Sequence, residues 1–75
     1  MFNKNLELAG QLYKEKNIQL ATAELKKWFN NGTLNEKVEA AYYLEKIASI
    51  MNAPVYEIYL YFSFVVAYGS SSFKG

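Results

Sequence analysis

PVYEIYLYFSFVVAY, residues 54–68, is the stretch that decides how this chain folds. It holds one charge, Glu57, together with four of the seven tyrosines and two of the five phenylalanines. Tyr and Val favour strands. The run is nevertheless long for a strand, and it opens on Pro54, which suits a first helical turn. We read it as one helix. A helix that is apolar on every side has to be covered on every side, so the rest of the chain must supply the cover. A chain of 75 residues is poorly equipped for that. At this size folding buries only about 60–65% of the surface the unfolded chain exposes.

Composition narrows the ways in which so small a core is supported. There is no Cys and no His, which removes disulfides, thiolate and imidazole metal sites, and His-based catalysis. A partner subunit is then the expected support, and the lack of Cys fits a cytoplasmic protein. The charges are Lys and Glu only, and the net charge is +1. Nucleic-acid binding usually announces itself as a basic patch with Arg reaching bases and phosphates, so it is not the favoured expectation. The first residues lack the charged region and apolar run of a signal peptide. Segment 54–68 falls short of the roughly 20 apolar residues that cross a bilayer. It also lacks the Lys-bearing polar face of a helix lying on a membrane surface.

Upstream, three further helices are expected. Asn3 is placed to cap the first, which runs to about Lys16 with Phe2, Leu6, Ala9, Leu12 and Tyr13 on its apolar side. Asn17 is placed to cap the second, about 18–31, with the stripe Ile18, Ala21, Leu25, Trp28 and Phe29. Asn30-Asn31-Gly32 ends it, with Gly32 suited to a left-handed residue after a helix. Thr33 and Glu36 have the spacing of a capping box for the third helix. That helix reaches about Met51, with Ala41, Leu44, Ile47, Ala48 and Met51 inward and Glu36, Glu39, Tyr43, Lys46 and Ile50 outward. The 54–68 helix follows and is expected to stop at Gly69, leaving 70–75 as a mobile tail with Phe73 a candidate anchor. The expected fold is all-α: four helices as two antiparallel hairpins in one domain, 1–69, since short connections make neighbours antiparallel.

The two hairpins match at an offset of 35 residues: Asn17 on Asn52, Ala21 on Tyr56, Leu25 on Leu60 and Phe29 on Phe64. A helix–turn–helix unit of that period resembles a tetratricopeptide repeat. The comparison splits the fourth helix into two lines. Tyr56, Leu60, Phe64 and Ala67 take the places of the second helix's core face. Val55, Tyr59, Phe62 and Val66 replace its outer line, Leu20, Glu24, Lys27 and Asn31. Largely polar positions have become apolar at 4-3-4 spacing, the spacing of a seam between helices. The expectation is that Tyr56, Leu60 and Phe64 are buried, and that Val55, Tyr59, Phe62 and Val66, flanked by Ile58 and Val65, receive a partner.

Catalysis finds no footing. The seven Glu are spread over the helices, Ser70–Ser72 have no His to activate them, and no glycine-rich phosphate loop is present. The chain is therefore expected to be a non-enzymatic binding protein without a cofactor.

Two resemblances bear on what it binds. Trp28, Met51-Asn52, Tyr56, Leu60 and Ala67-Tyr68 are similar in order and local spacing to the G-type needle chaperones of type III secretion systems, which are small tetratricopeptide-like proteins. That resemblance implies a cytoplasmic chaperone holding the amphipathic C-terminal helix of the needle subunit in an apolar groove, with a second small helical co-chaperone in a hetero-oligomer. The turn around Asn30–Asn35 is longer here than in that family. Separately, LEKIASIMNAPVYEIY, Leu44–Tyr59, resembles the last helices of repressor-type helix-turn-helix domains, and Leu12–Ile18 and Lys26–Gly32 resemble other parts of them. The segment between Ile18 and Lys26 is short for a positioning helix, turn and recognition helix, and Arg is absent. This second likeness implies a degenerate regulator or an antirepressor that binds a repressor protein.

Overall fold

In the computed structural model of the protein, residues 4–74 are described, with side chains through Gly69. Among these residues the fold is all-α, four helices in two hairpins. A short 3-10 turn, Lys4–Leu6, leads into α1 (Glu7–Lys14), followed by α2 (Ile18–Asn31), α3 (Leu34–Ile50) and α4 (Val55–Lys74). The proposed Asn3 cap, Phe2, Phe73 and the side chains of the 70–75 tail lie outside the described residues. The backbone of α4 passes through Gly69 without a stop, and among the described residues no glycine has positive φ. A helical Gly costs only about 1 kcal/mol relative to Ala.

Helix ends show local sequence acting as expected in one place and differently in two others. At α3 the capping box forms: the Glu36 amide donates to Thr33 Oγ1 at 3.3 Å and the Thr33 amide donates to Glu36 Oε1 at 2.8 Å. Asn17 makes no side-chain cap at α2. The chain turns there on Lys16, which is left-handed at φ 63°. Lys16 N–H donates to Tyr13 C=O and Asn17 N–H to Leu12 C=O, the paired bonds of a Schellman ending. The same device closes α3, where Asn52 is left-handed at φ 55°, with Asn52 N–H on Ser49 C=O and Ala53 N–H on Ala48 C=O. Gly32, expected to be left-handed, is extended at φ −84°. Its lack of a side chain serves close approach instead: a Cβ would stand 2.6 Å from the Trp28 carbonyl oxygen and 2.8 Å from Glu36 Cβ.

Each helix packs on the next in the chain, α1 on α2, α2 on α3 and α3 on α4, while the 3-10 turn reaches both α2 and α3. The helix at the centre is thus α3. Val38, Ala40, Ala41, Leu44, Ile47 and Ala48 are all buried along it, and the small alanines let neighbouring backbones come close. Leu6, Ala9, Ala21, Leu25 and Tyr61 complete the core from the other elements. This centrality corrects three expectations. Glu36 and Glu39 are buried rather than outward, and Tyr43 is half-buried, edge-on to Tyr13 at 5.6 Å between centroids. Glu36 is reconciled with burial by its cap and by Asn5 Nδ2, which donates to Glu36 Oε2 at 2.6 Å. Met51, expected in the core, is exposed because it caps the end of α3 where the chain leaves the layer.

The body measures 31 × 28 × 18 Å. No other described element lies over the outward side of α4, whose residues there are exposed. Among the described residues the backbone of α4 neighbours only that of α3. The most apolar helix therefore lies at the edge of the stack.

Candidate functional site

Helix α4 turns one side to the domain. Tyr61 is its inward centre at 6% exposure. Phe29, from the end of α2, meets it edge-on at 5.4 Å between centroids and meets Phe64 at 5.1 Å. Phe64 and Val65 pack on the core from either side of Tyr61, and Glu57 and Ile58 are half-buried one turn earlier.

The other side is open. Val55, Tyr59, Phe62 and Val66, the four residues of the expected seam, are all exposed. Ile58 and Val65, expected to flank them, are half-buried, and Val65 belongs to the inward side, packed on the core next to Tyr61. Two residues contradict the sequence reading: Tyr56 is 78% exposed and Leu60 54% exposed, although both were expected inside with Phe64. The cause is the register of the repeat. The left-handed turn residues Lys16 and Asn52 are equivalent in structure, and they lie 36 residues apart. The better correspondence is therefore Leu25 with Tyr61, Trp28 with Phe64 and Phe29 with Val65, all of them core-packed. One residue turns a helix by about 100°, enough to move Tyr56 and Leu60 out and bring Tyr61 in.

The result is an apolar face wider than the expected line. From Val55 to Ala67 its outward residues include no charge, since Glu57 points the other way, into the domain. Ser63, the polar residue among them, turns its hydroxyl back onto the Leu60 carbonyl at 3.1 Å. Tyr56 and Tyr59 offer large rings on short side chains with a polar tip, the residue type that interfaces favour. No described helix is long and apolar enough to cross a membrane.

Two other features were not foreseen. A cavity of about 300 Å³ opens between α2 and α4, floored by Leu44 and Ile47 of α3. Ile18 and Lys26 stand on one wall and Glu57 and Tyr61 on the other. Burial pushes the Tyr61 phenol above its ordinary value, and the nearby Glu57 carboxylate adds to the shift. On the outer side of α3, Lys46 lies 4.5 Å from the Tyr42 ring centroid and 5.8 Å from that of Tyr43. A side-chain hydrogen bond to Tyr42 holds the Lys46 ammonium above its ordinary pKa. The Tyr42–Lys46 pair was legible as an i, i+4 spacing. The cavity was not, because it depends on how far α2 and α4 diverge. Among the described residues no group of three His, Cys, Asp or Glu could hold a metal ion.

No protein-family model, curated protein or solved structure matches this chain.

Proposed function

We propose that this protein is a non-enzymatic binding module that covers an amphipathic helix of a partner with the outward face of α4. The observation that carries the reading is the exposure of Val55, Tyr56, Tyr59, Leu60, Phe62 and Val66 on a single helix at the edge of the fold. A contiguous apolar surface of this kind marks an interaction site on a small protein, and an apolar helix face is the natural complement of another helix's apolar stripe. The resemblance to G-type needle chaperones names the most concrete client. That client is the type III secretion needle subunit, an aggregation-prone helical protein, shielded in the cytoplasm with the help of a second small helical co-chaperone. The physical logic is that a subunit which polymerises through an apolar helix is kept from doing so while that helix is covered. The regulator or antirepressor reading draws less support, since the outward side of α4 carries no basic group from Val55 to Ala67.

The test is calorimetric titration with a peptide bearing the C-terminal amphipathic helix of a needle subunit. Binding should carry the negative heat-capacity change of apolar burial and should be lost in the double variant Tyr59→Ser, Phe62→Ser. Absence of binding to any such helix, together with specific duplex DNA binding that weakens steeply with salt, would sink the proposal in favour of the regulator.

A further inference from the structure

The exposed seam of α4 has a symmetry that a surface evolved only for a foreign helix does not need. Val55, Tyr59, Phe62 and Val66 are spaced 4-3-4, which reads the same in both directions along the helix. Their sizes do too: small, large, large, small. In an antiparallel pair of helices each layer joins one kind of seam position to the other kind. Turning a second α4 about a twofold axis between Tyr59 and Phe62 sets each small residue against a small one and each ring against a ring. We propose that the outward face of α4 pairs with a second copy of this chain. In this antiparallel two-helix seam Val55 meets Val66 of the partner subunit, and Tyr59 meets Phe62 of the partner subunit.

Area and charge agree with self-pairing. Val55, Tyr56, Tyr59, Leu60, Phe62 and Val66 each leave between half and four-fifths of their surface in water. With aromatic side chains of about 150–250 Å² each, the face exposes on the order of 700 Å² per protomer; this is the upper limit of what the seam buries and lies below the roughly 800 Å² per partner of a standard stable interface, which makes the pairing concentration-dependent. A twofold interface buries the same patch on both protomers, so an unmatched charge on it is buried twice over. This face brings none, because Glu57 lies on the cavity wall on the inner side of the helix. The dimer uses the same face as the proposed client helix but does not depend on the client's identity. It is the resting arrangement that a client has to open, and it hides the apolar face until then.

The chain has no cysteine of its own, which makes disulfide trapping clean. Sedimentation equilibrium from micromolar to near-millimolar concentration should show the mass doubling. Oxidising an equimolar mixture of Val55→Cys and Val66→Cys proteins should give the mixed cross-linked dimer in several-fold excess over either self-linked one. Phe62→Glu should lose the dimer while keeping its helical circular dichroism. Tyr59→Lys should lose it likewise, and mixing the two folded variants should restore the dimer by pairing Lys with Glu across the seam; should Phe62→Glu fail to fold, Tyr59→Lys alone carries the test. A wild-type chain that stays monomeric throughout the range, or Val55→Cys linking best to itself as a parallel pair would, overturns the proposal. A monomer that still binds an amphipathic peptide through Tyr59 overturns the dimer alone. A dimer that no such peptide opens supports the seam and removes the chaperone reading.

Discussion

Two tyrosines five residues apart on α4 allow a sharp test of how that helix is turned. Tyr61 is 6% exposed and Tyr56 is 78% exposed. Replacing Tyr61 with Ala removes a ring that fills the junction of α2, α3 and α4 and stacks edge-on with Phe29. Burial of roughly 200 Å² at about 25 cal/mol per Å² sets an upper bound of ~5 kcal/mol. Observed aromatic-to-Ala losses in cores run at about 3–5 kcal/mol. Tyr61 also borders the open cavity, so one side of its ring already lacks packing partners; a loss near the low end, about 3 kcal/mol, is the expectation. A chain of this length has roughly 4–11 kcal/mol of stability in total, so the variant should retain roughly a quarter to three quarters of it. Tyr56→Ala should change stability by no more than about 0.5 kcal/mol, as for other surface sites. The assay is urea unfolding followed by circular dichroism, performed in a Phe62→Glu background so that self-association does not contribute. Equal losses for the two variants, or a larger loss for Tyr56→Ala, would refute the orientation of α4 and with it the assignment of an outward face.

Three further outcomes follow from local geometry. Gly32→Ala should cost about 1–3 kcal/mol by overpacking even though φ −84° suits Ala, because the new Cβ meets the Trp28 carbonyl oxygen and Glu36; a neutral result in thermal unfolding would remove the close approach. Thr33→Ala should lose about 1 kcal/mol with its capping bond, while Asn17→Ala, with no cap bond to lose, should stay within about 0.5 kcal/mol in the same urea assay. Tyr61 is an acid whose folded pKa is raised above its value of 10.0 when unfolded. The unfolded chain therefore gives up this proton first, and stability is fully present below pH 10 and falls as pH rises toward the folded pKa. Tyr61→Phe should flatten that alkaline loss; an unchanged pH profile would mean that the phenol is not held neutral by burial. The raised pKa of Lys46 acts in the same direction and remains in the variant, so some alkaline slope should persist.

The four helices were legible in the sequence because each of the first three has a polar side and an apolar side, and because the breaks carry their own chemistry. Thr33 and Glu36 satisfy each other wherever the rest of the chain goes, since the bond spans only three residues. Ala21, Leu25, Ala41, Leu44, Ile47 and Ala48 were assigned inward and are buried. What could not be read was position within the stack. Glu36 and Glu39 look like surface residues until α3 is known to be the central helix. Gly32 looks like a left-handed turn residue until the return of Glu36 toward Trp28 is known.

The stretch 54–68 shows the division most clearly. Its composition by itself determined that a helix would form after Pro54 and that so small a domain would struggle to cover it, because apolar area and chain length are properties of the sequence. Which of its residues are covered was decided only in three dimensions. A helix with apolar residues all round has no periodicity strong enough to choose its own inward side. That choice fell to the Schellman turn at Asn52 and to the reach of Phe29 from α2, which together settled on Tyr61. Tyr56 and Leu60 were left in water with Val55, Tyr59, Phe62 and Val66, because α4 packs its backbone on α3 alone and no other described element lies over them.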